Sequence, residues 1–161
     1  ASDVYKRQAL GIIDNECDLK FGESVAIVGC GGVGLNLIQA ARMKSASPIY
    51  AVDINETMSS LSNTMGADSF VYNVSDILHK VDVIIDTTGI PPVISAAYDK
   101  LAPSGRLILV GQPRPGAEVE IPNAVSMFDG TGKSIRATQG GGTDPEKVIP
   151  RYISLAERGL L

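Results

Sequence analysis

Imidazole and thiol side chains are scarce in this sequence: one histidine, His79, and two cysteines, Cys17 and Cys30. His79 has no second metal-ligating residue near it and no Ser or Cys arrangement around it. No catalytic residue and no metal-ligating residue is therefore expected in the chain. Two cysteines do not make a disulfide framework, which fits a reducing, cytoplasmic setting. No apolar stretch approaches the roughly 18 residues needed to span a bilayer, and no signal-peptide pattern opens the chain. The formal net charge is −4 and no Lys/Arg cluster stands out, so no nucleic acid and no membrane is expected as a partner. Repeats and low-complexity tracts are absent as well.

What is present describes one domain. A chain of 161 residues can bury roughly 70% of its unfolded surface, enough for a sizeable core. Short β-branched apolar runs alternate with stretches of helical periodicity. Strands are predicted at Ser24 to Val28, Ile49 to Val52, Ser69 to Tyr72, Val81 to Asp86, Arg106 to Val110 and Ser134 to Gln139. Helices are predicted from Val33 to Met43, from a cap at Asn55 to Met65, from Pro91 to Leu101, and from Pro145 to Arg158. Asp76 to Lys80 reads as a short helix or turn, and Pro103-Ser104-Gly105 as a turn. Continuous apolar strands separated by helices imply a parallel sheet covered on both faces. The fold class is thus α/β, a doubly wound parallel sheet (Rossmann) of about six strands.

Between the first strand and its helix lies Gly29-Cys30-Gly31-Gly32-Val33-Gly34, a match to G-x-G-x-x-G. In such a loop the first glycine permits a tight turn, the second lets a pyrophosphate approach the backbone, and the third lets helix and strand pack closely. The helix start adds free N–H groups and a positive dipole end. Asp53 follows 19 residues after Gly34, at the end of the second strand. A carboxylate there accepts from ribose hydroxyls and repels a 2′-phosphate, and no Arg or Lys follows in Ile54-Asn55-Glu56-Thr57. NAD is therefore the expected cofactor, in preference to NADP.

Residues VAIVGCGGVGLN, AVDIN, Met65-Gly66-Ala67-Asp68 and LVGQP together resemble the cofactor domain of medium-chain, zinc-type alcohol dehydrogenases. The resemblance covers about residues 9 to 158. It implies that Gly31, Gly32 and Val33 hold the pyrophosphate, with Gly29 and Gly34 shaping the loop. It implies that Asp53 takes the ribose and that Ile54 lies against the adenine. Thr87, Thr88 and Gly89 fall on the loop near the cofactor, and backbone groups of Val110, Gly111, Gln112, Ala137, Thr138 and Gln139 on the nicotinamide carboxamide. Ser134 to Gln139 resembles the edge through which two subunits join their sheets, so a homodimer contact is expected there. The parent enzyme would pass a hydride between a small alcohol and NAD at a zinc ion.

Three departures from the family pattern stand out. Met58 and Ile90 occupy positions where some relatives carry a basic residue. Two zinc ligands of the family belong to an N-terminal catalytic domain that this chain lacks. The third, a cysteine seven residues before the position of Gly11, is here Val4. Asp3 to Gln8 back-translates as GAT GTG TAT AAG AGA CAG, which resembles a transposase adapter. Residues 1–8 are accordingly read as non-native and 9–161 as the NAD-binding domain, which alone is expected to be inactive.

Other candidates for chemistry are weaker. Cys30 is either a reactive thiol at a helix N-terminus or a small buried residue. Asp82 and Asp86 are read as strand ends rather than an acid–base pair. The run Gly140 to Asp144 looks phosphate-like but lacks a P-loop order, and reads as a mobile loop. Alternatives in function are a non-enzymatic dinucleotide-sensing module, a zinc-free NAD(P)H quinone or enone reductase, and a methyltransferase. Asp53 argues against the reductase, the full G-x-G-x-x-G against the methyltransferase, and LVGQP with a sixth strand against the sensor.

Overall fold

The computed structural model describes residues 2–139 and 144–160. Six parallel strands form one sheet: β1 (Val25–Val28), β2 (Ile49–Val52), β3 (Ser69–Val71), β4 (Val81–Asp86), β5 (Leu101–Leu109) and β6 (Ser134–Ala137). Their spatial order is β3-β2-β1-β4-β5-β6, so the chain reverses its direction of travel between β1 and β4. That reversal opens a crevice at the carboxyl ends of the two strands, where doubly wound sheets bind ligands. Helices α1 (Ser2–Gly11), α2 (Gly32–Met43), α3 (Met58–Met65), α4 (Pro91–Asp99) and α5 (Pro145–Glu157) complete the chain. The run Gly140 to Thr143 lies outside the described residues.

Alternation along the strands splits the core into two layers. Val25, Ile27, Val83, Ile85 and Ile108 face one cluster, which holds Leu37, Ile38 and Ala41 of α2 and Ile12 and Ile13 after α1. Ala26, Val28, Ile84 and Leu107 face the other, with Ile94, Ala97 and Tyr98 of α4. Polar pairs fix the strand starts. Ser24 donates its amide and its hydroxyl to Asp82 Oδ2 at 2.9 and 3.0 Å, and the Asp82 amide donates back to Ser24 Oγ at 2.9 Å. Arg106 on β5 grips Glu23 with both terminal guanidinium nitrogens, at 2.7 and 3.2 Å, and donates Nε–H to the Cys17 carbonyl at 2.8 Å.

Several predicted boundaries move for identifiable reasons. Helix α4 ends at Asp99 rather than Leu101, because Leu101 is drawn into the sheet opposite Val81. The turn at Pro103-Ser104-Gly105 survives as a bulge inside β5: Val81 pairs with Leu101 but Val83 with Arg106. Ser104 takes φ +62° there, and its Oγ accepts from the Thr131 amide at 2.8 Å. The short helix spans Val74–Asp76, not 76 to 80, and a capping box between Asn73 and Asp76 starts it. Helix α3 begins at Met58, while Asn55 Oδ1 accepts from the Thr57 amide and hydroxyl in the turn before it. Strand β3 stops at Val71 and β6 at Ala137, both short of their expected ends. Helix α1 is additional, and it includes residues 2 to 8.

Burial opposes ionisation of Glu23, but hydrogen bonding and charge from Arg106 win and hold its carboxyl below the usual value. A lowered folded-state value means that the bridge contributes fully above the ordinary carboxylate range and fades as pH falls through it. Glu23→Gln should therefore lower the unfolding free energy by about 1 kcal/mol near neutral pH. Urea midpoints measured down to about pH 3 should show the variant and the parent converging.

Candidate functional site

The glycine loop is shaped by contacts that leave no room for side chains. Gly29 has φ +91°, and a Cβ built on it would lie 2.2 Å from Thr87 Oγ1. A Cβ on Gly34 would lie 1.9 Å from the Gly29 carbonyl oxygen, so α2 presses directly on the end of β1. Gly31 is the opposite case: nothing lies within 4 Å of its would-be Cβ. As the N-cap of α2 it contributes no side-chain bond, and the first-turn amides meet no cap. Gly31 and Gly32 are exposed, whereas the Val33 side chain packs against the core and leaves only its backbone for a ligand.

Asp53 closes the loop from the side. Its Oδ2 accepts from the Cys30 amide at 2.8 Å and its Oδ1 from the Asn55 amide at 2.8 Å. The carboxylate is thus fixed between the glycine loop and the turn after β2, with lone pairs left over on both oxygens. Beside it runs a groove of about 460 Å³. Val28, Gly29, Val52, Asp53 and Ile54 line one side; Thr88, Ile90, Val93 and Ala96 line another. Tyr72 to Asp76 make its far wall. Ile54 is 86% exposed, a large apolar surface left facing the opening. No Lys or Arg is among the described residues that line the groove.

Across β4 lies the second half of the predicted site. The Val110 and Gly111 amides both donate to the Asp86 carbonyl, at 2.8 and 3.1 Å. Gly89 has φ +66°, and its would-be Cβ meets the Gln112 carbonyl at 2.6 Å; that of Gly111 meets the Gly89 nitrogen at 2.4 Å. Two glycines therefore let the loop after β4 interlock with the end of β5. Thr87 Oγ1 reaches back to the Val28 and Gly29 carbonyls at 2.9 and 3.0 Å. One strand further out, the Thr138 amide donates to the Leu109 carbonyl at 2.9 Å. Thr138 Oγ1 donates to Glu16 at 3.3 Å, Glu16 pairs with Arg136 at 2.7 Å, and the Gln139 carbonyl accepts from Gln8. Ala137 to Gln139 thus sit at the end of β6 and do not reach the groove.

The remaining candidates resolve into structure. Cys30 is fully buried with Sγ 3.6 Å from the Val52 carbonyl, and burial pushes its thiol up to about 11. Burial likewise pushes Cys17 to about 12 against the pull of Arg106. His79 is exposed in the loop before β4. Asp82 and Asp86 occupy opposite ends of β4 and bind different loops. No group of three His, Cys, Asp or Glu among the described residues is placed to hold a metal ion. Met58 packs on the core, and Ile90 lines the groove. Helix α1 brings the Tyr5 ring within 3.1 Å of a would-be Cβ on Gly32. Sequence reasoning did not find the Tyr72 to Asp76 wall, although the Asn73-x-x-Asp76 spacing of a capping box was there to be read.

A model of zinc-binding dehydrogenases matches residues 32–158. The chain belongs to the zinc-binding dehydrogenase family. Geraniol dehydrogenase of Castellaniella defragrans is 30% identical over 161 aligned residues, covering 92% of this chain and 42% of that protein. An alcohol dehydrogenase zinc-binding domain protein from Burkholderia ambifaria superposes with a TM-score of 0.86 at 29% identity, over 97% of this chain and 44% of the other. Benzyl alcohol dehydrogenase from Acinetobacter calcoaceticus gives 0.87 at 26% identity, over 98% and 45%. The chain therefore spans less than half the length of these relatives.

Burial of Cys30 makes a direct prediction. A thiol-specific reagent at about pH 8 should leave the native family domain unlabelled and react with both cysteines only after denaturation. Rapid labelling of one native thiol, located to Cys30 by peptide mapping, would show that Cys30 is reactive.

Proposed function

We propose that residues 9–161 are the NAD-binding domain of a zinc-dependent alcohol or polyol dehydrogenase. One observation carries this: an unobstructed Gly31 stands beside a carboxylate, Asp53, whose two oxygens are already held in place at the mouth of an apolar groove. The cradle suits a dinucleotide. Gly31, Gly32 and Val33 would offer backbone amides to the pyrophosphate, strengthened by the α2 dipole. Asp53 would accept from the adenosine ribose, and Ile54 with the groove walls would take the adenine. Thr87, Thr88 and Gly89 would pass the cofactor across the switch point, and backbone groups of Val110 to Gln112 and Ala137 to Gln139 would orient the carboxamide. NAD, when bound, supplies the hydride acceptor at C4 of its nicotinamide.

This chain's own part is binding and orientation. Its apolar groove would shield the adenine from water, and its loops would fix the ring's position. The described residues supply no metal-ligand set, so no metal-dependent step is derived from them. Asp53, with no Lys or Arg lining the groove, would set a negative charge against a 2′-phosphate on a bound dinucleotide. NAD is favoured over NADP on that ground. Titration of the purified chain should show NADH binding at least about tenfold more tightly than NADPH, and Asp53→Asn should narrow the gap. Equal affinity for the two would overturn the preference. Alcohol turnover by the chain alone, with zinc supplied, would overturn its assignment to cofactor binding only.

The outer strand suggests an assembly. All four residues of β6 are exposed, and Ile135 presents an apolar side chain on this edge. We propose that two copies join through Ser134 to Gln139 into one continuous sheet. Light scattering after gel filtration should give a dimer, and Ile135→Lys should shift it to monomer.

A further inference from the structure

We infer that Asp86 is a positioning residue that locks the two halves of the dinucleotide site into one register. Asp86 is fully buried at the end of β4, the strand that flanks the switch point. Its Oδ1 accepts from Thr88 Oγ1 at 2.7 Å and its Oδ2 from the Gly89 amide at 2.9 Å. Its main-chain carbonyl accepts from both Val110 and Gly111. One residue thus ties a loop that borders the groove to the end of β5, the strand beyond β4. Its side-chain partners are all neutral, and burial raises its carboxyl above the usual value. A buried carboxylate without a cation is costly unless its bonds do something that an apolar residue would not.

What those bonds do is hold Gly89 in place. The Gly89 amide is fixed by Asp86 Oδ2, while a Cβ built on Gly89 would meet the Gln112 carbonyl and one built on Gly111 would meet the Gly89 nitrogen. With one acceptor oxygen in place of two, the Thr88 hydroxyl and the Gly89 amide cannot both donate to residue 86, and the interlock between the two loops can slip. Thr88 lines the groove, so the slip alters the spacing between the groove and Val110 to Gln112 rather than the groove alone. The effect must then fall on ligands long enough to span both halves.

The inference rests on the dinucleotide reading above, and the test separates the two. NADH and AMP are titrated against the full chain, its Asp86→Asn variant, and the pair Thr88→Val and Thr88→Ser. The unaltered chain should bind both ligands. Asp86→Asn keeps the size but leaves one acceptor oxygen in place of two, and should weaken NADH about tenfold or more with AMP within about threefold. Thr88→Val should act in the same direction, and Thr88→Ser, which keeps the hydroxyl, should restore the NADH-to-AMP ratio. If Asp86→Asn does not fold, the Thr88 pair decides. Equal weakening of NADH and AMP, or no weakening of NADH, overturns the positioning role even if the unaltered chain binds both. Failure of the unaltered chain to bind either ligand overturns the dinucleotide reading and the inference together.

Discussion

Helix α2 meets the end of β1 so closely that a single methyl group at Gly34 would overlap the Gly29 carbonyl. Much of the site follows from that contact. It sets the height of α2 above the sheet and so aims the uncapped first-turn amides at the crevice. It also forces the chain between the two glycines outward, which leaves Gly31 exposed and turns Cys30 into the core. The Cys30 amide then points at Asp53, joining the loop to β2. Relaxing the contact would shift α2, the loop and Asp53 together, because each is hydrogen-bonded or packed against the next.

A second constraint is the switch point. β1 pairs with β2 on one side and β4 on the other, so loops that follow β1, β2 and β4 converge on one crevice. Hydrogen bonds cross it: Thr87 donates to Val28 and Gly29, and Asp86 gathers Thr88, Gly89, Val110 and Gly111. Val28, Val52, Ile54, Ile90, Val93 and Ala96 supply apolar surface to the groove, while Asp53, Asp76 and Thr88 are polar groups already held by hydrogen bonds.

The glycine loop and Asp53 were legible in the sequence because their constraint is local. A residue without a Cβ, or a carboxylate a fixed distance beyond it, is required by backbone geometry within one βαβ unit. Strand and helix identities were legible for the same reason, through periodicity. Asp86 was not. It read as a strand end because its role depends on Gly111, which becomes its neighbour only when β5 pairs with β4. The Tyr72 to Asp76 wall was missed likewise, since it borders the groove only because β3 lies beside β2. The β5 bulge shows the same limit: a turn sequence was visible, but Leu101 joins the sheet because Val81 stands opposite.

Sequence alone thus determined the α/β class, the glycine loop and the acid after β2, since each is dictated by neighbours along the chain. Tertiary structure alone decided which strand ends share a crevice, that Asp82 and Asp86 serve different loops, and that Cys30 is sealed in the core. Hydrogen-bonding capacity and burial are set by what packs against a residue, and in a parallel sheet those partners come from strands separated by whole helices.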